Sequence, residues 1–185
     1  MDRVTPIPHS GPLTRGDLEQ LRGGHDSARY ELLDGSVLVT PSPGRWHQTA
    51  LLNLVLLLND GLPDGLVLLF APFDVVLAED TVLQPDLLVA RRTDLTDRDL
   101  PAAPVLAVEV LSPSTRRIDL GLKFERYLRA GCPSYWVVDP VEPSLSAWRL
   151  RDSHYRLVAE VTGEEVARLS DPFPVQIRPA DLVRD

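Results

Sequence analysis

An apolar run interrupted by one glutamate, Val105-Leu106-Ala107-Val108-Glu109-Val110-Leu111, lies in the second half of the chain. Apolar residues at both odd and even positions are typical of a central strand that is covered on both faces. A charge inside such a strand is costly unless it is paired with a cation or bound to a metal. Glu109 therefore requires a partner, either in an ion pair that only stabilises the fold or in a functional site.

The segments around this strand predict further strands and helices. Residues 87–90 and 135–138 are also apolar on both faces and predict buried strands. Helical spacing predicts helices over 45–59 and 116–129, the latter ending at Gly131, and Thr14 with Asp17 predicts a short capped helix over 17–22. Asp34-Gly35 predicts a tight hairpin. The other predicted strands are 66–70, 73–77, a hairpin of 145–150 with 155–161, and an edge at 165–169. We therefore expect an α/β or α+β fold with a mixed central sheet flanked by helices.

Composition limits the class of protein. The chain has 185 residues, a formal net charge of −8 and a single cysteine, Cys132, so an intrachain disulfide and a cysteine-rich zinc site are excluded. The apolar runs, such as residues 54–58, are too short to span a membrane, and no signal peptide is visible. We expect one cytoplasmic domain over 1–185 with a loose arm at 1–12 and no membrane partner. The acidic balance disfavours a general nucleic-acid coat but allows a nuclease with a metal site.

Three more residues draw attention besides Glu109. Asp86 opens the 87–90 strand directly after Pro85, where its side chain can face a cleft. Glu31 lies on the first strand of the hairpin, where a solvent-facing side chain is the alternative. Lys123 is the one lysine among 19 basic residues, the other 18 being arginine. In a chain that otherwise uses arginine, a lysine is expected where a compact ammonium is required, and retention by chance is the alternative.

Lys123 lies on one ridge of the 116–129 helix with Asp119 and Tyr127, at spacings i, i+4 and i+8. We expect the apolar stripe that borders this ridge to pack on the sheet, so that Lys123 points towards the sheet edge. A surface Asp–Lys pair is the alternative. The residues of the stripe are Leu120, Phe124 and Leu128.

These residue types suit phosphodiester hydrolysis with a hard divalent cation, which is bound by carboxylate and carbonyl oxygens. Asp86 and Glu109 supply two such oxygens and the backbone carbonyl of Val110 a third. A metal stabilises charge on the phosphate and lowers the pKa of a bound water. A neighbouring lysine positions or helps to deprotonate that water and offsets the developing negative charge. The arginines at the start of the same helix, Arg116 and Arg117, are candidates for holding phosphates.

Nearly the whole chain, from about residue 14 to 180, resembles the Uma2 family (DUF820) of the PD-(D/E)XK nuclease superfamily. The matching motifs are 30–35 (Tyr-Glu-Leu-Leu-Asp-Gly), Ser42-Pro43 with His47, Pro85-Asp86, 108–115 (Val-Glu-Val-Leu-Ser-Pro-Ser-Thr), Asp119, Lys123, Tyr127, Gly131 and 135–140 (Tyr-Trp-Val-Val-Asp-Pro). One position departs from the superfamily pattern: Leu111 stands two residues after Glu109, where a lysine is usual. In Uma2-like sequences the following helix supplies the lysine, and Lys123 matches that position.

The resemblance implies a restriction-endonuclease-like core, to which the hairpin predicted at 145–150 and 155–161 is a C-terminal addition. It also implies that Asp86 and Glu109 bind Mg²⁺ or Mn²⁺, that Lys123 is catalytic, and that Glu31 is a further acidic residue near the metal. The partner implied is nucleic acid, with DNA expected, and a homodimer is a candidate assembly. The implied activity is that of a metal-dependent endonuclease.

For several of these residues, a purely structural role is the alternative to a role in the site. His47 reaches a phosphate or the surroundings of the metal, or it is simply a satisfied histidine at a helix start. Tyr127 forms a hydrogen bond near the site, or it only packs there. A catalytically inactive nuclease-fold module that binds nucleic acid or another partner is the main alternative function. A glycosidase has little support, because only 6% of the residues are aromatic.

Overall fold

The computed structural model describes residues 11–23 and 28–184. Along the chain the elements are α1 (Arg15–Arg22), β1 (Arg29–Leu33), β2 (Ser36–Thr40), α2 (Arg45–Asp60), β3 (Leu66–Phe70), β4 (Asp74–Ala78), β5 (Thr81–Leu83), β6 (Leu87–Arg91), β7 (Asp99–Leu100), β8 (Leu106–Val110), α3 (Arg116–Ile118), α4 (Phe124–Arg129), β9 (Ser134–Asp139), β10 (Ser144–Arg151), β11 (His154–Thr162), β12 (Ala167–Leu169), β13 (Val175–Ile177) and α5 (Pro179–Leu182). A 3₁₀ turn covers Arg92–Asp94, and a π-helical turn, Asp119–Lys123, joins α3 to α4. The predicted mixed α/β architecture is confirmed.

The largest sheet has six strands in the order β11-β10-β9-β8-β6-β3. β8 runs parallel to β9 and antiparallel to β6, so the sheet is mixed. β6 and β8 lie inside it, as their apolar sequences predicted, and every residue of β8 is buried. A second sheet has the order β2-β1-β5-β4-β7, and its β1–β2 hairpin turns at Asp34-Gly35 as predicted.

The six-stranded sheet is covered on both faces. One face packs under α2 and α5, with Leu54 and Leu58 of α2 against Val108 and Val110 of β8. Ala107 and Leu111 face the opposite side, where they share an apolar cluster with residues of the second sheet. Glu109, one of the predicted site residues, faces this second side, beyond the end of its apolar cluster.

The helix that carries Lys123 is oriented differently from the prediction. Leu120 of the expected apolar stripe is exposed, whereas Asp119, Lys123 and Tyr127 are buried. The π-helical turn widens the helix and shifts its phase, and the buried ammonium is satisfied by carboxylates instead of water. The end of the helix is as predicted, because Gly131 has φ +77° and the Cys132 amide donates to the Tyr127 carbonyl.

Several short elements were not predicted: β5, β7, β13 and α5. Each has at most four residues, too few for a periodic pattern. The edge predicted at 165–169 is wrong in its pairing, because β12 pairs with β13 in a separate two-stranded sheet. Most of the arm predicted at 1–12 lies outside the described residues. Within those residues, no helix is long and apolar enough to cross a membrane.

Candidate functional site

A cavity of about 690 Å³ opens beside the six-stranded sheet. Its walls come from β1, from the loop before α2 and the first turns of that helix, from the end of β3 and from the 112–115 loop. Four acidic side chains reach it, and we refer to them as the carboxylate cluster. Its members are Glu31, Asp86, Glu109 and Asp119, each at most 5% exposed.

Lys123 lies among three members of the carboxylate cluster. Its Nζ atom is 3.1 Å from Glu31 Oε1, 3.2 Å from Glu109 Oε1 and 3.5 Å from Asp119 Oδ1. Lys123 is only 3% exposed, so these oxygens replace its water. The expectation that Lys123 points away from solvent is therefore confirmed, and the alternative of a surface Asp–Lys pair is wrong.

Asp86 has its own set of partners. Its Oδ1 accepts a hydrogen bond from Arg29 Nη1 at 2.9 Å, and its Oδ2 accepts one from the Val110 amide at 2.8 Å. His47 Nε2 lies 3.2 Å from the same Oδ2. These contacts join β1, α2 and β8 to the start of β6, and they fix the Asp86 carboxylate from three directions.

Strand geometry explains why these residues meet. Asp86 immediately precedes β6, Glu109 lies on the neighbouring β8, and their side chains belong to the same face of the sheet. Glu31 comes from β1 of the second sheet, and its Oε1 accepts a 2.7 Å hydrogen bond from the Gln84 amide. The π-helical turn supplies Asp119 and Lys123, and the Tyr135 hydroxyl anchors it by donating to the Asp119 carbonyl at 2.8 Å.

The surroundings move the pKa values of these groups in opposite directions. Burial raises the pKa of Glu109 well above its usual range, although Lys123 opposes this shift. Burial also raises the pKa of Asp119. Burial would raise the pKa of Asp86 too, but the hydrogen bond with His47 and the Arg29 guanidinium outweigh it and hold that pKa below its usual value.

Burial and neighbouring charges also have opposite effects on the pKa of Lys123. Burial by itself lowers the pKa of a lysine, but the carboxylates of Glu109, Glu31 and Asp119 outweigh it and raise the pKa of Lys123. The side chain is therefore held as an ammonium.

The charges at this end of the cavity do not balance. When ionised, the four carboxylates carry four negative charges, against one positive charge each on Arg29 and Lys123, which leaves a formal excess of two negative charges. Among the described residues, Asp119 Oδ1 is buried without a hydrogen-bond partner, although the Lys123 ammonium lies 3.5 Å away. An uncompensated buried charge is costly, so the cluster favours a proton or an added cation.

The donor types fit a hard divalent cation, because all are oxygens. The arrangement, however, is not that of a ready-made cage. Within 11–23 and 28–184, no group of three His, Cys, Asp or Glu side chains is arranged to hold a metal ion. Lys123 and Arg29 stand between the carboxylates instead.

Of the remaining predicted residues, some contact Asp86 or line the cavity and others do not. His47 contacts Asp86 and lines the cavity, and Val110 contacts Asp86 through its amide. Tyr127 is buried, and its hydroxyl has no hydrogen-bond partner among the described residues. Arg116 and Arg117 do not line the cavity, and Arg116 pairs with Asp139.

Sequence reasoning missed Arg29, Gln84 and Phe70, which all line the cavity. Strand alternation could have indicated Arg29, because it is two residues before Glu31 and therefore shares its face of β1. Phe70 resembled an ordinary core residue at a strand end, and its 57% exposure depends on tertiary structure.

Comparison with known proteins agrees with this fold. Residues 16–182 match the model of the Uma2 family, described as "Putative restriction endonuclease". A crystal structure of "a putative nuclease belonging to DUF820" from Anabaena variabilis ATCC 29413 matches with a TM-score of 0.70 and 18% sequence identity, covering 93% of this chain and 98% of that one. No curated protein matches the chain. Because the family model spans nearly the whole sequence, the chain belongs to the Uma2 family.

Proposed function

We propose that the protein is a divalent-metal-dependent endonuclease that hydrolyses phosphodiester bonds of DNA. The observation that carries this proposal is the carboxylate cluster, whose four acidic groups outnumber Arg29 and Lys123 and lie beside that buried lysine in the cavity of about 690 Å³. The description of the family as a restriction endonuclease supports both the reaction and DNA as the first substrate to test.

Asp86 and Glu109 are the side chains that would hold Mg²⁺ or Mn²⁺, together with the backbone carbonyl of Val110 and with Glu31 nearby. When bound, such an ion stabilises charge on the phosphate and lowers the pKa of a water molecule. Arg29, His47 and the Val110 amide fix the orientation of the Asp86 carboxylate. Glu31 is fixed in turn by the Gln84 amide.

Lys123 acts as a hydrogen-bond donor and a positive charge. Its raised pKa favours an ammonium over a proton acceptor at neutral pH. An ammonium in a water-poor site stabilises the negative charge that develops on the phosphate oxygens during attack. Of the two roles that the sequence suggested for Lys123, offsetting this charge is therefore better supported than deprotonating water.

The test is cleavage of supercoiled plasmid with Mg²⁺ or Mn²⁺ by wild type, Glu109→Gln and Lys123→Met. Glu125→Gln is the matched control, because Glu125 is an exposed carboxylate on the continuation of the same helix. We expect metal-dependent cutting to fall at least about 100-fold in the two site variants and to be retained in the control. Cutting that persists in both site variants would place the active site elsewhere.

The inactive-module alternative has one observation in its favour. Lys123 and Arg29 already pair with the carboxylate cluster, which is how a purely structural network is arranged. This alternative predicts no turnover with either metal, combined with salt-sensitive binding of nucleic acid. Measuring plasmid binding at two salt concentrations beside the cleavage assay distinguishes the two functions.

A further inference from the structure

Phe70 is an exposed aromatic residue on the wall of the cavity. It ends β3 and pairs with Leu87, so it lies one position from Asp86, and the next amide, that of Ala71, donates to the Asp86 carbonyl at 3.1 Å. Phe70 is 57% exposed, although an aromatic ring at a strand end gains most by being covered. Its pairing with Leu87 puts the ring on the α2 face of the sheet, where it lines the same cavity that the carboxylate cluster reaches from the other face.

The cationic residues that line the cavity are already engaged. Arg22 pairs with Asp74, Arg29 with Asp86, and Lys123 with three carboxylates. Binding to a continuous duplex relies on many lysine or arginine contacts to phosphates. The lining of this cavity has little capacity for such contacts, so affinity there must come from another interaction.

Base stacking supplies that interaction. Aromatic side chains bind successive bases of single strands through their faces, with little dependence on sequence. Other apolar residues also line the cavity, among them Leu51, Pro43 and Pro72. The volume of about 690 Å³ lies within the range of pockets that enclose a small organic ligand, which a nucleotide resembles in size.

The depth of the site also favours a single strand over a duplex. Glu109 and Lys123 are 1% and 3% exposed, so a phosphate must enter the cavity to approach them. A flexible single strand can bend its backbone inwards, whereas a paired base must first be unstacked and extruded.

We propose that the cavity takes an unpaired nucleotide of a single-stranded nucleic acid, with its base stacked on Phe70. This inference rests on the proposed function, because it names the substrate class of the same site. Phe70 is then a specificity-determining residue, and the carboxylate cluster acts on the phosphate beside the stacked base.

The experiment compares a labelled single strand with the same strand annealed to its complement. Cleavage with Mn²⁺ is followed for wild type, Phe70→Ala and Phe70→Trp. Leu157→Ala is the matched control, because Leu157 is a comparably exposed apolar residue on β11, at the opposite edge of the sheet from β3. Binding of the single strand is measured separately by fluorescence anisotropy with Ca²⁺ in place of Mn²⁺.

We expect wild type to cut the single strand faster than the duplex. Phe70→Ala should raise KM for the single strand by about 5- to 100-fold and change kcat less, as loss of one stacked base predicts. Phe70→Trp and Leu157→Ala should stay near wild type. Duplex cutting that is as fast as single-strand cutting, or a KM that Phe70→Ala leaves unchanged, would overturn the proposal.

The anisotropy measurement separates the two proposals. Single-strand binding that depends on Phe70 without any cleavage would support the stacking site and contradict the endonuclease function. Metal-dependent duplex cleavage without any preference for the single strand would support the endonuclease function and overturn the stacking site.

Discussion

The two faces of the six-stranded sheet are built from alternate residues of the same strands but bury opposite kinds of side chain. On β8, Val108 and Val110 pack under α2, while Glu109 between them faces the other side and contacts Lys123. All three residues are at most 1% exposed. Equal burial therefore stabilises one face and imposes an electrostatic cost on the other.

The difference indicates which interactions hold each face together. Under α2, stability comes from apolar area and packing, which do not depend on pH. At the carboxylate cluster, stability comes from ion pairs and hydrogen bonds whose contribution to the free energy of unfolding depends on protonation. A matched pair of substitutions, one on each face, can therefore distinguish the two.

The largest effects are expected for Lys123→Met and Trp136→Ala. Lys123→Met removes the cation shared by three carboxylates and should cost about 3–5 kcal/mol of unfolding free energy at neutral pH. Trp136→Ala, on the α2 face, should cost about 3–5 kcal/mol by creating a cavity. Urea denaturation at neutral pH measures both.

Lowering the pH should affect the stability losses of these two variants differently. Glu109 and Asp119 have raised pKa values when folded, so their protonated forms are favoured there. Stability from such groups is present below the unfolded pKa values, 4.5 for Glu and 3.8 for Asp, and is lost as pH rises through the folded values. The defect of Lys123→Met should therefore shrink as pH falls towards 4.5, while that of Trp136→Ala should not. An equal, pH-independent loss in both variants would contradict the comparison.

A smaller effect is expected for Arg29→Met, which tests the partners of Asp86. The lowered pKa of Asp86 means that its pairing stabilises the fold above an unfolded pKa of 3.8 and that this stability is lost as pH falls through the lower folded pKa. Losing the buried charged hydrogen bond should cost about 1.5–3 kcal/mol near neutral pH. Urea denaturation measures the loss.

Arg126→Met is the control for Arg29→Met, because its pair with Asp34 is more exposed. It should cost about 0–1 kcal/mol. If the two variants lose the same stability, Arg29 contributes no more to the fold than a surface pair does.

The sequence predicted the apolar face more fully than the polar one. Central strands such as β6 and β8 could be predicted from their apolar runs, because a strand that is buried on both faces has apolar residues at successive positions. Asp86, Glu109 and Lys123 were conspicuous because each is charged where an apolar or arginine residue was expected. Their convergence follows from the pairing of β6 with β8 and the packing of the following helix.

What the sequence did not reveal depends on long-range contacts. Strand alternation places Arg29 on the same face of β1 as Glu31, but only the packing of β1 brings it to Asp86. The π-helical turn has no clear residue signature, and an ordinary helical wheel consequently placed Leu120 inside and the charged ridge at the border. Period and propensity describe one segment at a time, whereas these features arise between segments.

The smallest effect expected is the difference between two tyrosines on the site face whose rings lie 5.4 Å apart. The Tyr135 hydroxyl donates to the Asp119 carbonyl, so Tyr135→Phe should cost about 0.5–1.5 kcal/mol. The Tyr127 hydroxyl is buried without a partner among the described residues, so Tyr127→Phe should be neutral or slightly stabilising. Parallel urea denaturation of both variants, each retaining its ring, measures the difference. If Tyr127→Phe is as destabilising as Tyr135→Phe, its hydroxyl is bonded through water, and Tyr127 then belongs to the hydrogen-bonded surroundings of the carboxylate cluster instead of only packing beside it.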